Sequence, residues 1–206
     1  MSSGRKASQL YLLHSKILLN FSKTDIMPIF AISGVIISDF FVMKGEKLLK
    51  TADLCDKHSE HLHICTTTFR SFGSIPAFNG PIRTVKVIDD NVLVLQALED
   101  IPAGSVLVVD GDGSRQCALL GDRLAGIAAD RKLAGVIIHG CVRDAAELAQ
   151  TNVGIFALGT MPKKSAKNGL GERDVPLTFG GITWTPGHYA YADEDGVVVS
   201  ETALTL

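Results

Sequence analysis

From residue 48 onward the chain alternates short apolar runs with polar turns, and the runs are of two kinds. Residues 105–110 (SVLVVD) and 135–139 (GVIIH) are almost continuously apolar, the pattern of strands covered on both faces in a parallel sheet. Residues 153–158, 175–179 and 197–200 read as further strands, the later ones separated by the turn pairs Gly180-Gly181, Pro186-Gly187 and Asp195-Gly196. Residues 82–88 alternate, with Ile82, Thr84, Lys86 and Ile88 on one face and Arg83, Val85 and Val87 on the other. Phe72 to Pro76 and Phe78-Asn79-Gly80-Pro81 carry turn chemistry and frame that strand. Residues 92–98 fit either period: they are rich in β-branched side chains, yet Leu93, Ala97 and Leu98 also share a helical face.

Helix starts stand where strands stop. A Gly-rich loop follows residues 105–110, and a helix is predicted to open at Gly121-Asp122; the strand at 135–139 ends at Gly140-Cys141 and delivers Arg143-Asp144 onto a second helix start. Thr51 before Ala52-Asp53 predicts an N-cap with acids in the first turn. Strands of the parallel type, interleaved helices and late hairpins together predict an α/β domain with more than one layer of sheet over residues 48–206.

Residues 1–47 differ. They open basic and acid-free as far as Asp25, then run apolar over 26–43 with interruptions at Pro28, Gly34 and Asp39. We read this segment as an amino-terminal extension, an added arm or an upstream start site in preference to either a targeting segment, for which one arginine is thin support, or a membrane span, which Pro28 and Asp39 make marginal.

At 206 residues, 46% hydrophobic and 20% charged, the chain has material for one good core. A net charge of -2 gives no basic excess, so nucleic acid is not an expected partner. Four scattered cysteines without a CxxC pair argue against a zinc cage or a disulfide framework and favour a reducing, cytoplasmic setting; Cys141 is taken as packing. His58, His61 and His63 do not share a helical face and lack a completing carboxylate, so a solvated surface is expected there.

In open α/β sheets, ligands gather outside the carboxyl ends of strands, where helix N-termini favour anions. The charged residues placed in that zone are Asp122, Arg143 and Asp144, which we read as a metal-assisted site for a small keto-acid. Taken singly, Asp122 could be an ordinary N-cap and Arg143-Asp144 a surface ion pair. The basic stretch at 162–169 is either a solvated loop or one that lies over a site. The turn at Asp110 to Gly113 lacks the GxGxxG pattern of a nucleotide fingerprint, which leaves a methyltransferase reading little support.

The succession VLVVDGDGS, ALLGDRLA, GVIIHGCVRD, TFGG and YADEDGVVVS resembles the family shared by class II 4-hydroxy-4-methyl-2-oxoglutarate aldolases and the regulator of ribonuclease E activity A, across residues 48–206. Asp122 and Arg143 enclose residues 123–142, the spacing of the aldolase branch, and Arg143-Asp144-Ala145-Ala146-Glu147 completes its pattern; Asp112 departs from it, since relatives usually carry Gly there. The resemblance implies a layered β/β/α sandwich similar to the phosphohistidine-type swivelling domain, a homotrimer or dimer of trimers, and a divalent cation, Mg or Mn. It implies a lyase that cleaves the aldol substrate to pyruvate and decarboxylates oxaloacetate; the other branch implies a non-catalytic protein that binds and inhibits ribonuclease E. Under the lyase reading Asp144 is the expected metal ligand, and Arg143, Asp122 and Glu147 are the expected catalytic residues, Glu147 as an acceptor for Arg143 or for water. Gly121, Asp122, Arg123 and Leu124, with Arg143, are the expected substrate-binding residues, the first four through backbone N–H groups.

Overall fold

The computed structural model describes residues 49–206, so the expected amino-terminal extension lies outside the described residues. The elements run α1 (Thr51–His58), β1 (Leu62–Ile64), β2 (Arg70–Ser71), β3 (Phe78–Lys86), α2 (Val92–Asp100), β4 (Val106–Asp110), β5 (Ala118–Leu120) and α3 (Asp122–Asp130). They continue with β6 (Gly135–Val142), α4 (Ala145–Leu148), β7 (Gly154–Thr160), β8 (Glu172–Arg173), β9 (Leu177–Phe179), β10 (Ile182–Trp184), β11 (Tyr189–Asp193) and β12 (Gly196–Ser200).

One mixed sheet follows the order β1-β12-β11-β3-β4-β6-β7-β2, with β5 beside β6 and β8 beside β3; β9 and β10 form a separate hairpin. Strand β3 is the pivot. Its first half, Phe78 to Pro81, pairs antiparallel with β11, and its second half, Ile82 to Lys86, pairs parallel with β4. The sheet therefore folds into two layers, and the side-chain alternation of the parallel strands sorts the core. Val85, Leu107, Val109, Val136, Ile138 and Ile155 pack with α2 and α3. Ile82, Val106, Val108, Ile137 and Phe156 pack against the late strands, around Phe179, Trp184 and Val199. Leu54 of α1 packs with Tyr191 and Val198 in a third, smaller cluster. This is the layered α/β sandwich expected from the sequence.

Strand β3 also corrects the sequence reading. Residues 78–81 are strand rather than turn, because Gly80 serves a close passage: a Cβ there would stand 2.1 Å from the Gly104 carbonyl oxygen. Phe78 points into the space left by two further glycines. A Cβ on Gly135 would meet its ring at 2.3 Å and one on Gly154 at 2.0 Å, so the starts of β6 and β7 are shaped around that ring. The strand stops at Lys86, short of Ile88, before Asp89 turns the chain with a left-handed φ of 50°. Residues 92–98 resolve as helix, with Val94, Ala97 and Leu98 buried.

Thr51 is not the cap of its helix. Its backbone N–H and its hydroxyl both donate to Asp193, at 2.8 and 2.7 Å, and so tie α1 to the β11–β12 turn. Burial alone would raise the Asp193 carboxyl, but the donors from Thr51, Asp195 and Gly196 outweigh it and hold the group below the usual carboxylate range. His61 and His63 are exposed, and the His58 ring donates to the Thr205 carbonyl at 3.1 Å. Among the described residues no helix is long and apolar enough to cross a membrane.

Candidate functional site

Strands β5 and β6 run parallel with Leu120 opposite Val142, so the residues that follow each strand emerge side by side. Gly121 and Asp122 lead into α3, and Arg143 and Asp144 lead into the single turn of α4. The Arg143 N–H donates to the Leu120 carbonyl at 3.0 Å and carries the pairing one step past the strands. Asp144 then takes a left-handed conformation, φ 58° and ψ 44°. That conformation costs a non-glycine residue on the order of 1–3 kcal/mol, toward the low end for Asp. It brings the carboxylate back over α3: Oδ2 accepts from the Asp122 N–H at 3.3 Å and forms an ion pair with Arg143, 3.3 Å from its Nε. The ion pair is partly exposed, at 40% and 33% for the two side chains, and such pairs contribute only about 0–1 kcal/mol. The ion pair and the Asp122 N–H bond offset a cost of that size, and the carboxylate is left aimed at the helix start.

Gly121 makes this approach possible. Its backbone is extended, φ -137°, so its value here is the missing side chain: a Cβ would lie 2.5 Å from Asp144 Oδ2 and 3.1 Å from Arg143 Cγ and Nε. Gly121 occupies the N-cap position that the sequence offered to Asp122, and Asp122 is the first residue of α3. The Asp122 carboxylate accepts from the Arg123 N–H at 2.6 Å.

These residues border an open cavity of about 200 Å³ lined by Gly121, Asp122, Arg123, Leu124 and Arg143, together with Asn91, Ala118, Leu120, Lys164, Ser165 and Lys167. The volume lies below the roughly 300–1,000 Å³ of drug-sized sites and suits a small acid. The structure thus brings Gly121, Asp122, Arg123, Leu124, Arg143 and Asp144 together. Glu147 is exposed on α4, outside the cavity lining, and makes no hydrogen bond to Arg143 among the described residues; the guanidinium turns to Asp144 instead.

The basic loop at 162–169 lines the cavity. It returns alongside β5, where the Ala118 N–H donates to the Lys163 carbonyl at 2.8 Å, and it is pinned further on by the Ala166 N–H to the Asp89 carbonyl at 2.8 Å. Buried Asp90 accepts from the Asn168 N–H and, at 3.1 Å, from the Gly169 N–H. Asn91 bridges the two walls, donating to the Leu119 carbonyl at 2.9 Å and accepting from Lys167 Nζ. Asn91 and Ser165 were not singled out from the sequence, and only the charge of the 162–169 stretch hinted at its place.

Neighbouring polar groups are structural. The His139 ring donates through Nδ1 to Asp110 at 2.9 Å and stacks on Phe179 at 4.5 Å. Burial raises the Asp110 carboxyl, but the bonds from His139 and the Asp112 N–H and the charges of His139 and Lys86 prevail and hold it below the usual range. Burial first, and Asp89 beside it, push the Cys117 thiol up to about 11, and burial also raises Cys141, so neither is an activated nucleophile.

Among the described residues no group of three His, Cys, Asp or Glu side chains converges as a ready metal cage. Asp144 nevertheless offers a hard oxygen donor whose two protein contacts both fall on Oδ2. One carboxylate with water in most other positions is how Mg and Mn are commonly held, so the donor chemistry fits such an ion.

Comparison with known proteins bears on this arrangement. Residues 51–199 match the RraA-like family described as Aldolase/RraA. A Bacillus cereus protein provisionally named 4-hydroxy-4-methyl-2-oxoglutarate aldolase is 57% identical over 155 residues, spanning 75% of this chain and 98% of its own. A Geobacillus kaustophilus structure described as S-adenosylmethionine:2-dimethylmenaquinone methyltransferase is 59% identical, with a TM-score of 0.75 over 76% of this chain and 97% of its own. The RNA-processing inhibitor RraA from Thermus thermophilus is 44% identical, with a TM-score of 0.74 over 76% of this chain and 95% of its own.

Proposed function

Since the chain belongs to the RraA-like family of aldolases and RraA proteins, we propose that it is a divalent-cation-dependent lyase, cleaving 4-hydroxy-4-methyl-2-oxoglutarate to pyruvate and decarboxylating oxaloacetate. One observation carries this reading: Asp144, in its left-handed conformation, holds a carboxylate against Arg143 and the first N–H of α3 beside a small cavity. Asp144 would hold the cation, Mg or Mn, which when bound supplies a Lewis acid for the 2-keto oxygen.

The chain's own residues do the rest. The pyruvyl carboxylate takes its place at the start of α3, where the 3.3 Å contact from the Asp122 N–H is long enough to yield to a better acceptor. Arg143 spends Nε on Asp144, and its Nη groups stabilise the negative charge that grows on the former keto oxygen as the carbon–carbon bond breaks. Asp122 positions the water that takes the C4 hydroxyl proton in the aldol direction. Glu147, outside the cavity lining, carries the smallest share, as an acceptor for solvent. The protein works on this reading in the cytoplasm, as a homotrimer or a dimer of trimers.

The test is pyruvate release from each substrate by the purified protein, in a coupled assay with Mg or Mn present. Release at enzymatic rates is expected from both. A second reading has its own support in the likeness to the RNA-processing inhibitor RraA: a non-catalytic protein that restrains ribonuclease E. Capture of ribonuclease E without pyruvate release would favour it, and turnover without capture would retire it.

A further inference from the structure

Ser165 is a polar group that the chemistry above does not use. It is 5% exposed, and among the described residues its Oγ is the buried side-chain oxygen that has no hydrogen-bond partner. Folded proteins rarely leave a buried hydroxyl unpaired unless a ligand, ion or water completes it. Ser165 lines the same cavity as Arg143 and the start of α3, and its backbone is held between two fixed points, the bonds at Lys163 and Ala166. Lys164, exposed beside it, brings positive charge to that wall, whereas the neighbouring Lys167 is engaged with Asn91. A hydroxyl awaiting an acceptor, next to an ammonium, is suited to a carboxylate.

We infer that Ser165 and Lys164 form the subsite for the substrate's second carboxylate, the one on C4, and so select dicarboxylic 4-hydroxy-2-oxo acids over those with a neutral tail. This rests on the lyase reading of the site. In the retro-aldol step the C4 hydroxyl gives up its proton, C4 becomes a carbonyl, the C3–C4 bond breaks and its electron pair passes into the enolate, which takes a proton at C3 to give pyruvate. The second carboxylate keeps its charge throughout, so a group that holds it binds ground state and transition state alike. Loss of that group raises KM for 4-hydroxy-4-methyl-2-oxoglutarate about tenfold, with little of the loss falling on kcat. Oxaloacetate carries its second carboxylate on C3, one carbon nearer the keto group, and loses it as carbon dioxide, so a subsite placed for a carboxylate on C4 contributes less to that reaction.

The experiment is calorimetric binding, with Mg present, of two acids that cannot undergo retro-aldol cleavage: 2-oxoglutarate, which has the second carboxylate, and 2-oxopentanoate, whose tail is neutral. It is run on the wild type, Ser165→Ala and Lys164→Gln. The wild type is expected to bind 2-oxoglutarate at least about tenfold more tightly, and each variant to lose most of that preference while holding 2-oxopentanoate as before. Equal binding of the two acids by the wild type, binding of neither, or a preference intact in both variants would overturn the subsite. Because binding is read without turnover, the two claims separate: a preference for the diacid without pyruvate release would sink the lyase reading alone, and pyruvate release without the preference would sink the subsite alone. Lys164→Gln alters an exposed side chain, so the comparison stands even where Ser165→Ala fails to fold.

Discussion

Arg143→Ala is expected to lower pyruvate release from both substrates by about 10²–10³ or more, the size of effect seen when a donor to developing negative charge is removed. The fold should barely notice. Arg143 is a partly exposed residue whose ion pair with Asp144 contributes about 0–1 kcal/mol, so the melting temperature should move by a few degrees at most. Arg143→Lys should not rescue the rate, because one ammonium cannot spend an edge on Asp144 and still present two further donors in a plane. Steady-state kinetics beside a melting curve checks both halves of this expectation. A variant that keeps more than about a tenth of the activity would remove Arg143 from the chemistry.

Gly121→Ala is also expected to lose most of the rate, and for a different reason. The backbone at Gly121 is ordinary extended chain, so alanine is not excluded by conformation; it is excluded by Asp144 Oδ2, 2.5 Å from where the new methyl would sit, and by Arg143 at 3.1 Å. The carboxylate and the guanidinium have to move, and displacement of catalytic groups by about an ångström can cost on the order of 10² in rate. Gly126→Ala, in the interior of α3 with nothing within 4 Å of the added methyl, makes the contrast. It should leave the rate alone and stabilise the protein by about 0.5–1 kcal/mol. Loss of rate at position 121 without loss of fold, beside a gain of stability at 126, would locate the effect in the approach of Asp144 to the helix start.

How much of this was legible beforehand depends on how far each feature reaches along the chain. The strand ends and the start of α3 were readable because apolar runs such as 105–110 and 135–139, and the Gly121-Asp122 helix start, are local signals. The family resemblance added the order of the flanks, and with it Asp122, Arg143 and Asp144. Other features depend on contacts between distant segments. Phe-Asn-Gly-Pro at 78–81 has the composition of a turn, and only the passage of Gly80 under Gly104 and the pairing with β11 make it strand. Thr51 has the look of a cap, yet its hydroxyl is claimed by Asp193 far along the sequence. Asn91 and Ser165 reach the cavity because the loop after β7 comes back to pair with Ala118, and no periodicity in 162–169 announces that return. The left-handed turn at Asp144, which aims the carboxylate, is likewise invisible in the motif Arg-Asp-Ala-Ala-Glu.

Histidine 139 and Asp110 show the opposite case, a pair with the look of chemistry and a structural role. Asp110 ends β4 and His139 pairs with it from within β6, but the ring is stacked on Phe179 and neither residue lines the cavity. The Asp110 carboxylate accepts from the Asp112 N–H at 3.0 Å and fixes the loop after β4, where Asp112 itself is exposed with a φ of 56°.

The central claim is that Asp144, Arg143 and the start of α3 together serve a divalent cation and a pyruvyl acid. Its most direct test is pyruvate release from 4-hydroxy-4-methyl-2-oxoglutarate by wild-type protein stripped with a chelator, dialysed and then titrated with Mg or Mn. The account predicts that release falls to background after stripping and returns in a saturable way as the ion is restored, whereas Asp144→Ala does not recover. Release that is undiminished by the chelator, or an Asp144→Ala variant restored by the same ion concentrations as wild type, would contradict it.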